Sequence, residues 1–161
     1  MPSSTPWLIY PLAALFEIAG CFNRYHCPLS RTVFLGKPPK VFVEGEKAVL
    51  EGMEAGLEAA RAGNTCEEFA GAFYSVLKKY GIHKDGRTGY PIGVSYPPDW
   101  GERTMSLRPG DKTVLQPGMT FHFMTGLWSD EMGLEITETI AITDGAPELL
   151  SNVPRKLFVK D

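Results

Sequence analysis

The sequence predicts an α+β domain in which an antiparallel sheet is covered by two helices. In the middle third, apolar residues recur at helical spacing in two segments. The first and last thirds instead contain short apolar runs rich in β-branched and aromatic residues. The predicted order is strand, strand, helix, helix, a long loop and three further strands. A chain of 161 residues is enough for one such domain with a substantial core.

The first two strands are predicted within residues 16–36, which contain two apolar runs joined by a polar connection. The strands are expected at residues 15–20 and 29–35, and the glycine and prolines of 36–39 end the second one. One carboxylate, Glu17, lies inside the first apolar run, where a buried unpaired charge is costly. Residues 1–14 are predicted to be a loose amino-terminal segment, and residues 15–161 are predicted to form the folded part.

Two amphipathic helices are predicted in the middle third. The first covers residues 44–62 and ends at Gly63. Its apolar stripe consists of Val49, Leu50, Met53 and Leu57. The second begins with a capping box, in which Thr65 is the N-cap and Glu68 follows three residues later. It ends at Gly81. Its apolar stripe consists of Phe69, Phe73, Val76, Leu77 and Tyr80.

A long segment rich in glycine, proline and aromatic residues, 83–103, separates the helices from the last strands. Loops of this length in compact domains are usually functional or disordered. The aromatic and proline content of this one favours an ordered, functional loop. Strands are then predicted at residues 113–115, 119–124 and 134–143, and an Asp-Gly pair at 144–145 marks a turn after the last of them.

Composition limits the classes of partner. The chain has 16 basic and 19 acidic residues, so it has no basic field for nucleic acid. No apolar run is long enough to span a bilayer. Residues 18–21 resemble a lipoprotein cleavage box, but no basic residue precedes the apolar run. The three cysteines form no C-x-x-C pair, which argues against a disulfide framework or a zinc site. A reduced, cytoplasmic protein is expected, without a nucleic acid or membrane partner.

Two groups of side chains in the first strands and in the long loop are candidates for chemistry. Glu17 with Arg24, His26 and Arg31 forms either a site or a buried ion network that holds the hairpin together. The loop 96–103 carries two aromatic and two acidic side chains, which suit a cationic or zwitterionic ligand. The structural alternative for this loop is a proline-stiffened surface segment with a packed tryptophan.

Two more groups lie on the last strands. By alternation, His122 and Met124 share one face of their strand. A lone histidine in this position is either a proton-transfer group or a hydrogen-bonded structural residue. On the next strand Glu135, Thr137 and Thr139 share a face, which is either the wall of a site or a polar edge.

Several known kinds of site are absent from the sequence. The only histidines are His26, His83 and His122, and they have neither an i, i+4 pair nor a cluster of aspartates beside them. This spacing does not suit zinc or a two-metal centre. There is also no glycine-rich phosphate loop and no Gly-x-Ser-x-Gly motif.

Taken in order, these segments resemble the pita-bread hydrolase family of creatinase, prolidase and methionine aminopeptidase. Residues 17–32 resemble two family strands that supply aspartate ligands, and residues 89–93 resemble its Gly-His-Gly-Ile-Gly loop. Residues 115–124 and 133–145 resemble the paired strands that supply two glutamate ligands. The resemblance covers residues 15–150 and implies a partial pita-bread fold, with a curved antiparallel sheet covered by two helices.

The positions that correspond to the five metal ligands of the family depart from its pattern. They are Glu17, Pro28, Tyr90, Met124 and Thr137. Proline and methionine offer no oxygen ligand, and tyrosine and threonine are poor neutral ligands for a hard metal. The resemblance therefore implies a metal-independent member with no cofactor.

Within the family, residues 24–39, 89–111 and 117–128 are similar to the ectoine hydrolases, a metal-independent branch. This resemblance implies a small zwitterionic substrate and the opening of the cyclic amidine ectoine to an N-acetylated diaminobutyrate. The alternatives are an Xaa-Pro dipeptidase-like protein, or an inactive fragment or binding module that retains the fold.

The resemblance also implies roles for individual residues. Glu17, the one carboxylate at a former ligand position, is expected to attack the amidine carbon or to activate a water molecule. His122 is expected to be its proton-transfer partner, and Glu135 is expected to complete the catalytic group. The implied substrate-binding residues are Tyr90, Tyr96, Trp100, Arg31, Arg103, Met124 and Thr137. Either Arg31 or Arg103 is expected to hold the substrate carboxylate as a bidentate clamp.

Catalytic domains of this family carry further helices and strands before the segment that matches Leu15. The chain is therefore expected to be the carboxy-terminal part of a longer enzyme. Its exposed sheet edge is then expected to be covered by a second copy, forming a homodimer, or by the missing domain.

Overall fold

A computed structural model of the protein describes residues 12–96 and 99–160. The helices are α1 (Lys40–Ala59) and α2 (Cys66–Lys79). The strands are β1 (Leu12–Phe22), β2 (Tyr25–Leu35), β3 (Gly89–Pro91), β4 (Thr120–Phe123), β5 (Leu127–Trp128), β6 (Gly133–Leu134), β7 (Glu138–Ala141), β8 (Glu148–Leu149) and β9 (Phe158–Lys160). No helix in the described ranges has the length and apolarity that crossing a membrane requires.

The predicted pair of opening strands forms a hairpin that is much longer than expected. Strands β1 and β2 pair antiparallel along their whole length, from Leu12 opposite Leu35 to Phe22 opposite Tyr25. Only Asn23 and Arg24 form the turn, with φ angles of 48° and 68°. Positive φ at both turn residues matches the twist of the two strands, so the polar connection becomes strand rather than loop. Of the predicted loose segment, residues 1–11 lie outside the described residues, whereas 12–14 belong to β1.

The capping box that opens α2 is confirmed. The Glu68 N–H donates to Thr65 Oγ1 at 3.3 Å, and the Thr65 N–H donates to Glu68 Oε2 at 2.7 Å. Both bonds satisfy amide groups that have no partner inside the helix. Helix α1 begins four residues earlier than predicted, at Lys40, because Pro39 has the extended backbone conformation of an N-cap.

The two helices cover the sheet that contains β4, and phenylalanine rings form the contact. Phe123 of β4 packs edge-on against Phe69 and Phe73 of α2, with ring centroids 4.8 and 5.7 Å apart. Gly52 and Gly56 of α1 lie directly over these rings, since a Cβ at either position would come within 3 Å of one. The glycines therefore set how closely α1 approaches the sheet, and the aromatic cluster forms the centre of the core.

The sheets depart from the simple antiparallel arrangement in two places. The second sheet has the order β3-β4-β7-β8 and is antiparallel, but β9 pairs with β2 in parallel. The strand predicted at 134–143 is split into β6 and β7, because residues 135–137 leave the ladder and bond to β2. The strand predicted at 113–115 is a single bridge between Thr65 and Val114.

Side chains, rather than a continuous ladder, connect β2 to the 135–137 segment. The Ser30 N–H donates to Thr137 Oγ1 at 2.7 Å, and the Glu135 N–H donates to Thr32 Oγ1 at 2.8 Å. The Thr137 N–H in turn donates to the Ser30 carbonyl at 3.1 Å. These bonds hold the hairpin against the second sheet, so that residues of β1 and β4 meet at one place.

Substitution of Gly56 by alanine tests the close approach of α1 to the core. The new Cβ would lie 2.5 Å from Phe123 Cζ and 3.2 Å from Phe69 Cε2. Because both rings are packed inside the cluster, we expect Gly56→Ala to lower the free energy of unfolding by about 2 kcal/mol. Chemical denaturation of the purified variant measures this change.

Gly71 provides the matched control, because it lies within α2 and a Cβ there would meet nothing within 4 Å. Alanine has the higher helix propensity, so Gly71→Ala should raise the free energy of unfolding by about 0.5–1 kcal/mol. Equal destabilisation by both substitutions would show that the contact with the rings is not what makes Gly56 necessary.

Candidate functional site

Glu17 and His122 come together although they are far apart in the sequence. Glu17 lies on β1 opposite Ser30, and His122 lies on the central strand β4. The Glu17 Oε1 atom is 4.0 Å from His122 Nδ1. The histidine side chain is fully buried, whereas 34% of the glutamate side chain is exposed. A carboxylate that reaches water therefore faces an imidazole that does not.

Hydrogen-bonding groups hold both nitrogens of the His122 ring. The Nδ1 atom lies 2.9 Å from the Tyr90 hydroxyl, and the Nε2 atom lies 2.8 Å from Thr137 Oγ1. The Tyr90 hydroxyl also accepts a hydrogen bond from Trp100 Nε1 at 3.0 Å. Since each hydroxyl can donate or accept, the imidazole can carry its proton on either nitrogen. The ring is thus fixed in place but free to change tautomer.

Burial, and to a lesser extent the positive charge of Arg87, lowers the pKa of His122 to about 4. The imidazole is therefore neutral at neutral pH, and its approach to Glu17 is not an ion pair there. A neutral imidazole can accept a proton at one nitrogen and release one from the other.

Glu135 is the second carboxyl group near this pair. Only 5% of the residue is exposed, and its Oε2 atom has no hydrogen-bond partner in the part of the chain that the structure describes. Burial raises its pKa, the negative charge of Glu17 adds to this rise, and the positive charge of Lys84 opposes it. Glu135 therefore keeps its proton to a higher pH than an exposed glutamate does.

Lys84 interacts with Glu135 through its charge. Its Nζ atom donates to the Gly126 carbonyl at 2.5 Å. Burial lowers the pKa of Lys84, and the negative charge of Glu135 opposes that shift. The positive charge of Lys84 in turn limits the rise in the pKa of Glu135.

A cavity of about 350 Å³ opens beside Glu17. Its walls include three carboxylates, two guanidinium groups and two aromatic rings. The lining residues are Glu17, Arg87, Tyr90, Asp99, Trp100, Gly101, Glu102, Arg103 and Met124. Charges of both signs around one small space suit a ligand that is itself zwitterionic.

The structure brings together most of the residues that the sequence singles out. Glu17, Tyr90, Trp100, Arg103 and Met124 line the cavity. Behind them lie His122 and Thr137, which share a hydrogen bond, and Glu135, which Glu17 influences through its charge.

Arg31 does not reach this cavity, contrary to the expectation that it binds a substrate carboxylate. Its side chain is 7% exposed and donates hydrogen bonds to Glu138 Oε1 and to four backbone carbonyls. Those carbonyls belong to Ser30, Thr137, Val153 and Pro154. A guanidinium group with its donors already engaged has none left for a ligand.

Tyr96 also lies outside the cavity walls, contrary to expectation. It is 69% exposed, and its hydroxyl accepts a hydrogen bond from Arg24 at 2.6 Å. The proposed group of Glu17, Arg24, His26 and Arg31 does not form either. His26 Nδ1 instead lies 3.0 Å from the Arg24 carbonyl. The reason is geometric: Arg31 lies on the opposite face of the hairpin from Glu17, Arg24 lies in the turn, and His26 is opposite Cys21, four residues along β1 from Glu17.

Two residues of the site, Lys84 and Arg87, were not predicted. Both come from the polar segment between α2 and β3, where the sequence has no periodicity. For Arg87, the only available signal is its position two residues before Gly89 of the recognised loop. Lys84 has no such signal, because its approach to Glu135 depends on how the chain turns after α2.

A larger cavity, about 680 Å³, lies between the start of α1 and the β5–β6 hairpin, and Lys84 lines it. Two other titratable side chains of its lining, His83 and Asp85, are 2.8 Å apart, but both are more than four-fifths exposed. The described lining of this cavity has no close pair of a carboxylate and a buried imidazole such as Glu17 and His122. The smaller cavity beside Glu17 is therefore the better candidate site.

Two of the five positions that correspond to metal ligands of the family, Tyr90 and Thr137, already have hydrogen-bond partners. Thr137 Oγ1 already accepts the Ser30 N–H and contacts His122, and Tyr90 is engaged by His122 and Trp100. Burial raises the pKa of Tyr90, which disfavours the phenolate that a metal would need. Across residues 12–96 and 99–160, no group of three or more His, Cys, Asp or Glu side chains could hold a metal ion. This donor chemistry does not fit a two-metal centre.

The sequence profile of the metallopeptidase family M24 matches residues 12–144, and the chain belongs to this family. It is 61% identical over 146 residues to the ectoine hydrolase of Halomonas elongata, which covers 90% of this chain and 37% of that protein. An uncharacterized hydrolase/peptidase of Sinorhizobium fredii is 45% identical over 148 residues, covering 92% and 38% of the two chains. The chain thus spans less than two fifths of the length of these relatives.

Solved structures confirm the predicted α+β pita-bread fold. The dipeptidase PepE of Mycobacterium ulcerans superposes with a TM-score of 0.83 at 23% identity, covering 91% of this chain and 39% of that one. A prolidase from Pyrococcus furiosus superposes with a TM-score of 0.78 at 25% identity, covering 89% and 42%. At such identities the likeness is one of fold.

The depressed pKa of His122 predicts how stability depends on pH. Between about pH 6.5 and pH 4 the unfolded chain takes up a proton at this histidine while the folded chain does not. Stability should therefore fall as the pH falls through that window, by an amount on the order of 3 kcal/mol, and level off below it. His122→Gln should remove this part of the pH dependence, as measured by denaturation at a series of pH values.

His83 serves as the control, because its side chain is 86% exposed. His83→Gln should leave the pH dependence between pH 4 and pH 6.5 close to that of the wild type. A His122 ring whose NMR signals titrate near pH 6.5 would contradict the assignment of a buried neutral imidazole.

Proposed function

We propose that the chain is part of a metal-independent hydrolase of the creatinase and prolidase type, and that it opens the cyclic amidine ring of ectoine. The observation that carries this proposal is the approach of Glu17 to the buried, neutral His122 at the wall of a cavity with charges of both signs. The similarity to the ectoine hydrolase of Halomonas elongata supports the choice of substrate.

The proposed reaction begins at the amidine carbon of ectoine, which is electrophilic. Either a Glu17 carboxylate oxygen adds to this carbon, or Glu17 removes a proton from a water molecule that adds to it. The bond from that carbon to one ring nitrogen then breaks, and the nitrogen takes up a proton and leaves as an amine. With direct attack, the intermediate is an imidoyl ester of Glu17 that still holds the other ring nitrogen; a water molecule then adds to its imidoyl carbon, and the Glu17 carboxylate leaves, so that water supplies the acetyl oxygen.

Glu135 and His122 can handle the protons in this scheme. The raised pKa of Glu135 keeps a proton available for the leaving nitrogen, whereas Glu17 acts as the base or nucleophile. His122 accepts a proton at Nδ1, on the side of Glu17, and Thr137 holds the opposite nitrogen. Two carboxyl groups in different environments thereby take different roles.

A metal-free mechanism is supported by the donors at the former ligand positions. The hydroxyls of Tyr90 and Thr137 orient the imidazole of His122. Met124 contributes a thioether to the cavity wall, and Pro28 contributes no side-chain donor. The polar side chains that remain thus act on a histidine rather than on a cation.

Replacement of Glu17 tests the mechanism. Glu17→Gln keeps the shape of the side chain but removes the base, so it should lower kcat for ectoine by at least about 100-fold. Addition of a chelator to the wild-type chain should leave the rate unchanged. Both are measured as release of the N-acetylated product.

The matched control is Glu44→Gln, because Glu44 is an exposed residue of α1 whose ion-pair partner among the described residues is Lys40. This variant should retain the wild-type rate. Activity that a chelator abolishes but that survives Glu17→Gln would overturn the mechanism.

Two other functions are distinguished by the same preparation. The first is an inactive binding module, which is considered because the chain spans only 30–38% of the length of its relatives. Binding of ectoine without turnover would favour it. The match to the Xaa-Pro dipeptidase of Lactobacillus helveticus, 30% identical over 119 residues, favours a peptidase if an Xaa-Pro dipeptide is cleaved instead.

We further propose that a second copy of the chain, or another domain of a longer protein, covers the outer face of β1. Four large apolar side chains lie there, on the side of the strand away from Glu17: Leu12, Phe16, Ile18 and Phe22. Between 56% and 80% of each is exposed. Strand β1 also ends its sheet, with no partner on its outer edge among the described strands. Such a face and edge favour association.

The mass of the chain in solution tests this association. We expect the wild type to elute as at least a dimer of the 17.8 kDa chain in light scattering. Ile18→Lys should shift the population toward the monomer, because a charge on the apolar face opposes its burial. Val43→Lys, at a 50% exposed position on α1, is the control and should not change the mass. A monomeric wild type would contradict self-association.

A further inference from the structure

We infer that Arg87 is the residue that binds an anionic group of the ligand, and that this group is a carboxylate. This inference rests on the proposed function, since it concerns the same cavity, and it names a residue that neither the sequence nor the family resemblance assigns. Arg87 lines the cavity together with Glu17, Tyr90 and Trp100.

The position of Arg87 is set by an aromatic ring that is itself fixed. Its guanidinium carbon lies 4.4 Å from the centroid of the Tyr90 ring. Tyr90 is buried, and its hydroxyl is held by Trp100 Nε1 and by His122 Nδ1. Stacking of a guanidinium group on such a ring orients it and leaves its N–H groups available at the edge.

The N–H groups of Arg87 are not engaged by the protein in the ranges 12–96 and 99–160. No hydrogen bond or ion pair joins Arg87 to the described residues, although the carboxylates of Asp99 and Glu102 line the same cavity. Arg87 is nonetheless half-buried. Partial burial removes a guanidinium group from water, and a charged partner or hydrogen bonds normally offset that cost. An anionic group of a ligand would supply such a partner for Arg87.

The charge of Arg87 acts on the groups that face Glu17. It contributes to the lowered pKa of His122, and it opposes the rise in the pKa of Tyr90. Arg87 and Glu17 line the same cavity of about 350 Å³, so a carboxylate bound at Arg87 lies close to the proposed reacting groups. A ligand with a carboxylate on one side and a cationic amidine on the other would meet Arg87 and Glu17 at the same time.

The other candidate arginines fit this role less well. Arg31 has its donors engaged by Glu138 and by backbone carbonyls. Arg103 lines the cavity but is exposed, and no described aromatic ring holds it. Arg87 is both oriented and available, and a planar fork of donors matches the geometry of a carboxylate.

The test compares two ligands on the full 161-residue chain. One is ectoine, and the other is the same methyl-substituted tetrahydropyrimidine ring without the carboxylate. Arg87→Met should weaken binding of ectoine by about 10- to 100-fold in calorimetry, as expected for loss of a charge-assisted hydrogen bond. It should leave the affinity for the ring without the carboxylate within about 2-fold of the wild-type value.

Two further variants keep the result interpretable. Arg87→Lys retains the charge without the fork and should recover part of the affinity for ectoine. Arg108→Met makes the same chemical change at an exposed arginine outside the cavity and should not alter binding of either ligand. A loss of affinity that is equal for both ligands would overturn the inference, because Arg87 would then support the cavity rather than recognise a carboxylate.

The outcome separates this inference from the proposed function. Carboxylate-dependent binding at Arg87 without turnover would support the inference and overturn the proposed hydrolase activity. If instead the wild type turns over ectoine, and Arg87→Met weakens binding of both ligands equally, the proposed hydrolase activity would be supported and the inference overturned. Failure of the wild-type chain to bind ectoine at millimolar concentration would overturn the inference.

Discussion

The buried guanidinium group of Arg31 is the contact on which the arrangement of the site depends. It donates to Glu138 and to backbone carbonyls of three separate segments, residues 30, 137 and 153–154. The second oxygen of Glu138 accepts from Ser151 at 2.7 Å, so the buried charges are paired and hydrogen-bonded. This network holds the hairpin against the second sheet. The 4.0 Å approach of Glu17 to His122 follows from that placement.

Two positions that correspond to metal ligands in the family carry side chains that form hydrogen bonds with His122. Tyr90 and Thr137 each contact one nitrogen of His122. A metal centre would need their oxygen lone pairs and a phenolate, whereas here the oxygens already take part in neutral hydrogen bonds. The pita-bread scaffold thus places the imidazole of His122 between a water-accessible carboxylate and a buried threonine.

Local patterns predicted the helices better than the hairpin. The α2 capping box needs only Thr65 and Glu68, three residues apart, and the structure confirms it. The length of the hairpin was underestimated, because a two-residue turn with positive φ is usual for Asn-Gly, whereas the chain has Asn23 and Arg24. The short strands β5, β6, β8 and β9 have two or three residues each and leave no periodic signal. Their formation depends on neighbours that are distant in the sequence.

By itself the sequence determined the α+β class, the two helices, the family and the carboxylate at position 17, because these depend on local patterns and on residue identity. Only the tertiary structure decided which polar groups meet. Arg31 lies within a predicted strand and Arg87 within a polar connection, yet it is Arg31 whose donors are taken up by Glu138 and backbone carbonyls, whereas Arg87 lines the cavity. Partner choice for a long charged side chain depends on how separate segments pack, and that information is not contained in the spacing of residues along the chain.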